Sequence, residues 1–156
     1  MFLSGRDVIY TKPSERALEL LDKKYNCAQS VFAACATDAG LTEAHRLALG
    51  AAFGGGVVGQ GEICGALTGA LMALGEMHSA VIAADPAAGN NSVHAQAEKM
   101  IAAFRAAHGS ILCRVLTGCL LYTEEGKRSF KERDVPHTVC AKLVAFAAGQ
   151  AVAARK

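Results

Sequence analysis

Gly54-Gly55-Gly56-Val57-Val58-Gly59-Gln60-Gly61-Glu62-Ile63-Cys64-Gly65-Ala66-Leu67-Thr68-Gly69 is the stretch on which the reading of this chain turns. A glycine loop leads straight into an apolar segment, and the first turn of that segment carries Cys64. Glycine has no Cβ. Gly65 and Gly69, one helical turn apart on one face, therefore let a neighbouring helix pack close beside Cys64. The segment from about 62 to 78 is apolar on nearly every side, as a helix surrounded by other helices must be. We expect it to be the buried centre of the fold.

On the N-terminal side, Ser14 is placed to cap an amphipathic helix with Ala17, Leu18, Leu21 and Tyr25 at helical spacing, ending near Lys24. Asn26 restarts the pattern with Gln29 in a capping-box relation, and Cys27, Val31, Ala34 and Cys35 form one apolar face that stops at Gly40. Thr42 caps a third segment whose apolar residues are Ala44, Leu47, Leu49 and Ala51, reaching Phe53. On the C-terminal side, Asp85-Pro86 and Gly89-Asn90-Asn91 read as a loop, with a fifth helix beginning near Asn91 or Ser92. Val93, Ala97, Met100, Ile101, Phe104 and Ala107 are its stripe and Gly109 its stop. Ser110 caps a short segment holding Cys113, the polar stretch 123–134 reads as a charged surface connection, and a last helix from about 138 to 154 carries Cys140. No run alternates with β-branched enrichment. The expectation is one all-α domain over 1–156, of about five to seven helices.

The bulk composition agrees. A chain of 156 residues, 52% hydrophobic and 19% charged, has enough apolar surface for one sizeable core and too much for disorder. A net charge of +2 with interspersed signs offers no basic stripe for a phosphate backbone, which argues against a nucleic-acid partner. Arg6 and Asp7 stand where a secretory signal would be apolar, so the expected location is cytoplasmic. The most apolar runs, 63–75 and 139–154, fall short of the roughly 20 residues of a membrane span. In a reducing compartment six cysteines are free thiols, metal ligands or redox pairs, not a disulfide framework.

Gly54, Gly56 and Gly59 fit G-x-G-x-x-G, but a helix pattern precedes them and no strand does, so a dinucleotide site is not supported. His45, His78, His94, His108 and His137 include no pair spaced for metal on one helical face and read as surface residues. His137 is retained as a neighbour of Cys140. The cysteines are more regular: Cys27, Cys64, Cys113 and Cys140 each fall in the first turn of an expected helix. Free N–H groups and the positive end of the helix dipole favour an anion there, lowering a thiol pKa or supporting a thiolate-bound cluster. Cys35 and Cys119 lack that position and read as packing residues, the role small apolar cysteine often fills.

Tyr25-Asn26-Cys27-Ala28-Gln29-Ser30-Val31, Phe53-Gly54-Gly55-Gly56, Cys64-Gly65-Ala66-Leu67-Thr68-Gly69-Ala70, Ser110-Ile111-Leu112-Cys113 and Thr138-Val139-Cys140 together resemble a bacterial and archaeal family of small proteins regarded as redox-active. That family is named for four cysteines, one of them within C-G-A-x-x-G. The resemblance covers about 14–144. It implies that the characteristic sulfurs are Cys27, Cys64, Cys113 and Cys140, the four already selected by position. It also implies redox activity and, for many members, association with a transporter system. Ala141 stands where similar sequences often have proline after the last cysteine.

Three readings remain open from the residues. In the first, thiolates exchange with a disulfide or small oxidant, or with a redox partner protein, and Cys64 is the expected nucleophile because of its glycine surroundings. The second gathers Cys27, Cys64, Cys113 and Cys140 on a [2Fe–2S] cluster or Zn²⁺. The third is a non-redox helical interaction module, and the excess of apolar faces would suit a homodimer. Spacing does not fix a pairing, since four cysteines admit three connectivities.

Overall fold

The computed structural model describes residues 13–35 and 40–155. The reading of the chain's first residues as lacking a secretory signal falls outside these. Among the described residues there are nine α-helices and no strand: α1 Pro13–Asp22, α2 Cys27–Cys35, α3 Glu43–Gly50, α4 Gly65–Met77, α5 Ser79–Ala84, α6 Pro86–His108, α7 Cys113–Thr117, α8 Glu124–Glu132 and α9 Ala141–Ala153. A 3₁₀ turn, Ala51–Phe53, extends α3, and a π-helical turn, Pro136–Cys140, leads into α9.

The expected central helix is α4, packed by α2, α9 and α6. Its Ala66, Leu67, Ala70, Ala73 and Leu74 are fully enclosed. They meet Val31 and Phe32 of α2, Phe104 of α6, and Leu143, Val144 and Ala147 of α9 in one apolar core. Each large aliphatic side chain so buried contributes about 1.5–3 kcal/mol. Close approach depends on the two glycines read from the sequence. A Cβ on Gly65 would lie 2.9 Å from the Phe53 carbonyl oxygen, and one on Gly69 would lie 2.6 Å from that of Ala28. The Arg46 guanidinium on α3 grips the Glu76 carboxylate of α4 at 2.9–3.2 Å, both side chains buried. α1 docks on α9, where the Ser14 hydroxyl donates to the Ala145 carbonyl at 3.0 Å.

Several local expectations change. Ser14 lies inside α1 behind Pro13, so its hydroxyl serves the tertiary contact just described and not a cap. Along α3 the enclosed positions are Arg46 and Gly50, and Leu49 is exposed. Residues 85–91 are not a loop: Asp85 caps α6, accepting from the Ala88 amide at 3.0 Å, and Pro86 takes the first turn, where its missing N–H costs nothing. Gly89 then sits inside α6 because a Cβ there would come within 2.6 Å of the Ile82 Cα on α5. The stretch 123–134 is also helical over α8. Thr123 caps it, accepting from the Gly126 amide at 2.9 Å, while almost all its side chains stay in water. These short or polar helices take the count above the expected five to seven. No single helix among the described residues is long and apolar enough to cross a membrane.

Candidate functional site

The backbone that carries the cysteines is the least regular part of the chain. After Phe53 the glycine loop coils in the left-handed sense, with φ of 64° at Gly55, 67° at Gly56, 64° at Val57 and 50° at Val58. The coil satisfies its own amides: Val58 N–H donates to Ala52 O at 2.9 Å, Gly61 to Gly55 at 3.0 Å and Glu62 to Gly56 at 3.0 Å. At Gly56 only glycine fits, since a Cβ would meet the Glu62 nitrogen at 2.5 Å and the Cys113 Cβ at 2.8 Å. Two valines in this region are costly, about 1–2 kcal/mol each. Such strain concentrates where a chain positions functional groups.

The loop exit then pairs with the chain ahead of α7. An isolated antiparallel bridge joins Ile63 to Leu112. Cys64 N–H donates to Ile111 O at 2.8 Å, and Cys113 N–H donates to Glu62 O at 2.7 Å. An Arg114–Glu62 ion pair at 2.8 Å fastens the same crossing. Cys64 and Cys113, far apart in sequence, therefore flank one pair of hydrogen-bonded segments. Cys27 is held by the expected capping box: Gln29 N–H donates to Asn26 Oδ1 at 2.9 Å, and Asn26 N–H donates to Gln29 Oε1 at 3.0 Å. The Asn26 amide also donates to Ala51 O at 3.0 Å, tying α2 to the start of the glycine loop. Gly65 faces Cys27 closely, because a Cβ on it would be 3.4 Å from the Cys27 Cβ.

All four characteristic cysteines line one cavity of about 300 Å³. Cys64, Cys113 and Cys140 are buried, while Cys27 keeps partial exposure. All six cysteines are free thiols. The Cys27 side chain packs against the cluster that holds Cys140, and the proximity of the two thiols holds the Cys140 thiol below its ordinary value while raising that of Cys27. Burial and the neighbouring sulfurs add to the Cys27 shift. The Ala66 and Leu67 amides at its helix start favour the Cys64 thiolate, as the dipole argument requires, but burial outweighs them and pushes its thiol up to about 11. Burial likewise pushes Cys113 up to about 12, with the Cys64 and Cys140 sulfurs adding to it.

The acidity order thus differs from the one read in the sequence. The lowered value falls on Cys140, whose neighbour is a second thiol and not a helix end. The helical backbone already runs from Pro136, so Cys140 does not sit at a free amide terminus. Position in a first turn selected four residues that line one cavity but gave an incomplete account of their acidities.

His137 lies at the cavity's edge, as its place near Cys140 suggested. Its ring is engaged by Asp134 at 2.7 Å and by Asp22 at 3.5 Å, and those carboxylates raise its pKa. Two other histidines are not simple surface residues. His78 is fixed between Leu74 O at 2.9 Å and Gln96 at 3.0 Å, and His108 packs edge-on against Phe104 and Phe146. Cys35 contacts the Ala148 carbonyl inside the core, away from the cavity. Cys119 shares a small apolar cluster with Val135 and Cys140, and the Arg133 guanidinium lies 3.6 Å from its sulfur. Only the αL turn at Gly118, which throws Cys119 back beside α7, could have signalled this from sequence. Among the described residues no three His, Cys, Asp or Glu side chains are arranged to hold a metal ion.

Comparison with known proteins agrees with the sulfur pattern. Residues 25–154 match the family described as "Putative redox-active protein (C_GCAxxG_C_C)", and the chain belongs to that family. An uncharacterized protein of Archaeoglobus fulgidus is 40% identical over 65 residues, a match covering 40% of this chain and 42% of that relative. No solved structure matches the chain.

Proposed function

We propose that the protein performs thiol–disulfide exchange in this cavity, with Cys140 as the attacking sulfur and Cys27 as the resolving one. The observation that carries the reading is the packing of these two thiols together at the wall of a cavity that also holds Cys64 and Cys113. The Cys140 thiolate attacks one sulfur of a disulfide R–S–S–R, the S–S bond breaks, and RS⁻ leaves. Cys27 gives its proton to that leaving thiolate and attacks the Cys140 sulfur, closing a Cys27–Cys140 disulfide. The second RS⁻ leaves and takes a proton from water. Two protein thiols are oxidised by two electrons, and R–S–S–R is reduced to two RSH. Cys64 and Cys113, placed diagonally about the Ile63–Leu112 bridge and lining the same cavity, are the second pair to which oxidation can pass. The reading places the protein in a reducing compartment, where thiols are regenerated.

Anaerobic purification, an ultraviolet–visible spectrum and metal analysis come first, followed by mild oxidation and peptide mapping. The expected result is a colourless protein in which oxidation yields a Cys27–Cys140 linkage. Absorption between about 400 and 500 nm with stoichiometric iron and sulfide would instead establish a cluster on the four sulfurs.

A further inference from the structure

Resting on the thiol-exchange reading, the cavity itself narrows the oxidised partner. Exchange requires the attacked S–S bond to approach Cys140 nearly end-on, and only 5% of that residue is exposed. Cys64 and Cys113 are comparably enclosed at 4% and 6%. The route to them is a space of about 300 Å³, at the small end of ligand pockets. A disulfide set in a folded protein surface has no room to enter.

The walls are carbon. Leu21, Tyr25, Leu116, Leu121, Phe130 and Leu143 supply side chains to the cavity, and no aspartate or glutamate lines it. The two basic residues that line it, Lys24 and His137, are both exposed and so stand at its mouth. His137 is already engaged by Asp134 and Asp22. Lys24 takes part in no ion pair among the described residues that the cavity would have to break. Its backbone has φ of 73°, a conformation that favours glycine or asparagine. A long cationic side chain is thus held at the mouth by a backbone that other residues would adopt more easily.

We propose that the substrate is a low-molecular-weight disulfide with an apolar body and a carboxylate: the body fills the cavity against Leu116, Leu121 and Phe130, the carboxylate pairs with Lys24, and the S–S bond faces Cys140. The exchange follows the balanced steps given above, with the small disulfide as R–S–S–R and two equivalents of its thiol released.

The full chain, reduced anaerobically, is mixed with matched probes, and each rate is divided by that probe's rate with glutathione to remove intrinsic reactivity. Dithiodibenzoate and dithiodiglycolate carry the same charge and differ in apolar body. Hydroxyethyl disulfide is neutral, cystamine is cationic, and insulin supplies protein disulfides. Burial of one aromatic body predicts a normalised rate about tenfold higher for dithiodibenzoate than for dithiodiglycolate. Lys24→Gln should lower both dianion rates about threefold and leave hydroxyethyl disulfide unchanged, the size expected of one exposed ion pair. Equal normalised rates for all small disulfides, or insulin as the fastest probe, overturn the substrate class while a Cys27–Cys140 linkage would still stand for the chemistry. If no probe generates that linkage, the exchange reading falls and this inference with it.

Discussion

Cys35 and Cys140 are both enclosed, yet they belong to regions built in opposite ways. Around Cys35, α2, α4 and α9 meet through alanine and glycine, side chains fill the space between backbones, and the sulfur's neighbour is the Ala148 carbonyl at 3.6 Å. Burial drives its thiol up to about 12. Around Cys140 the chain is a π-helical turn, a left-handed glycine coil and a single antiparallel bridge. Regular helices packed closely leave no cavity; irregular backbone leaves one and turns side chains into it. What separates Cys140 from Cys35 is therefore not depth but whether a second sulfur and a cavity come with it.

The sharpest test of that contrast is substitution of the sulfurs themselves. Cys140→Ser and Cys27→Ser should abolish oxidation-dependent disulfide formation, since each removes one member of the proposed pair, whereas Cys35→Ala should leave it intact and cost on the order of 1 kcal/mol of stability. Counting free thiols before and after mild oxidation reads all three. Loss of activity in Cys35→Ala with Cys140→Ser still active would reverse the assignment of the two regions.

Backbone substitutions come next in size. Gly56→Ala places a Cβ 2.5 Å from the Glu62 nitrogen at a left-handed φ of 67°, with backbone atoms that cannot rotate away. A loss of about 2–4 kcal/mol in urea unfolding is expected. A variant as stable as the parent would mean that the left-handed coil is not the conformation in solution.

The acidities give a pH test. Cys35, Cys64 and Cys113 have raised values, so the native state keeps protons that the unfolded chain releases above about 9. Their contribution is complete below that pH and is lost as pH rises towards 11–12, at up to about 1.4 kcal/mol per pH unit for each thiol. Cys140 works in the opposite sense, because its value is lowered. Unfolding free energies measured from pH 8 to 11 should fall, and Cys35→Ala should flatten the slope by up to about 1.4 kcal/mol per unit. An unchanged slope would place the Cys35 thiol in contact with water. Alkylation should follow the same order, with Cys140 modified at a lower pH than Cys64.

The core was legible because periodicity and close packing are local signals. The apolar run after Cys64, the Gly65 and Gly69 pair and the Asn26–Gln29 capping box each fixed a contact that the structure contains. α8 was not legible, since a helix stabilised by the Thr123 cap and charged side chains has almost no apolar stripe. The start of α6 was missed because Gly89 and Asn90 read as loop residues, and only the crossing of α5 explains a glycine there. At the site, sequence position selected four cysteines that come to line one cavity. It could not reveal that Cys27 and Cys140, over a hundred residues apart, pack together, or that burial would outweigh the helix start at Cys64.

The smallest expected effect is also the cleanest contrast with Gly56. Gly75 lies in the last turns of α4, where a methyl group on its Cα would find no atom outside its own helix within 4 Å and φ is ordinary. It is a glycine that neither a turn nor a close approach requires. In a helix, glycine keeps more unfolded-state freedom than alanine, so Gly75→Ala should stabilise the protein by about 0.5–1 kcal/mol. The same chemical change, one methyl group, is thus expected to act with opposite signs at two positions of one chain. Thermal melts of the two variants, each against the parent, measure both signs. If Gly75→Ala destabilises as Gly56→Ala does, then the end of α4 is packed against something the open face does not show, and the division between a filled core and an irregular, cavity-forming side would have to be redrawn there.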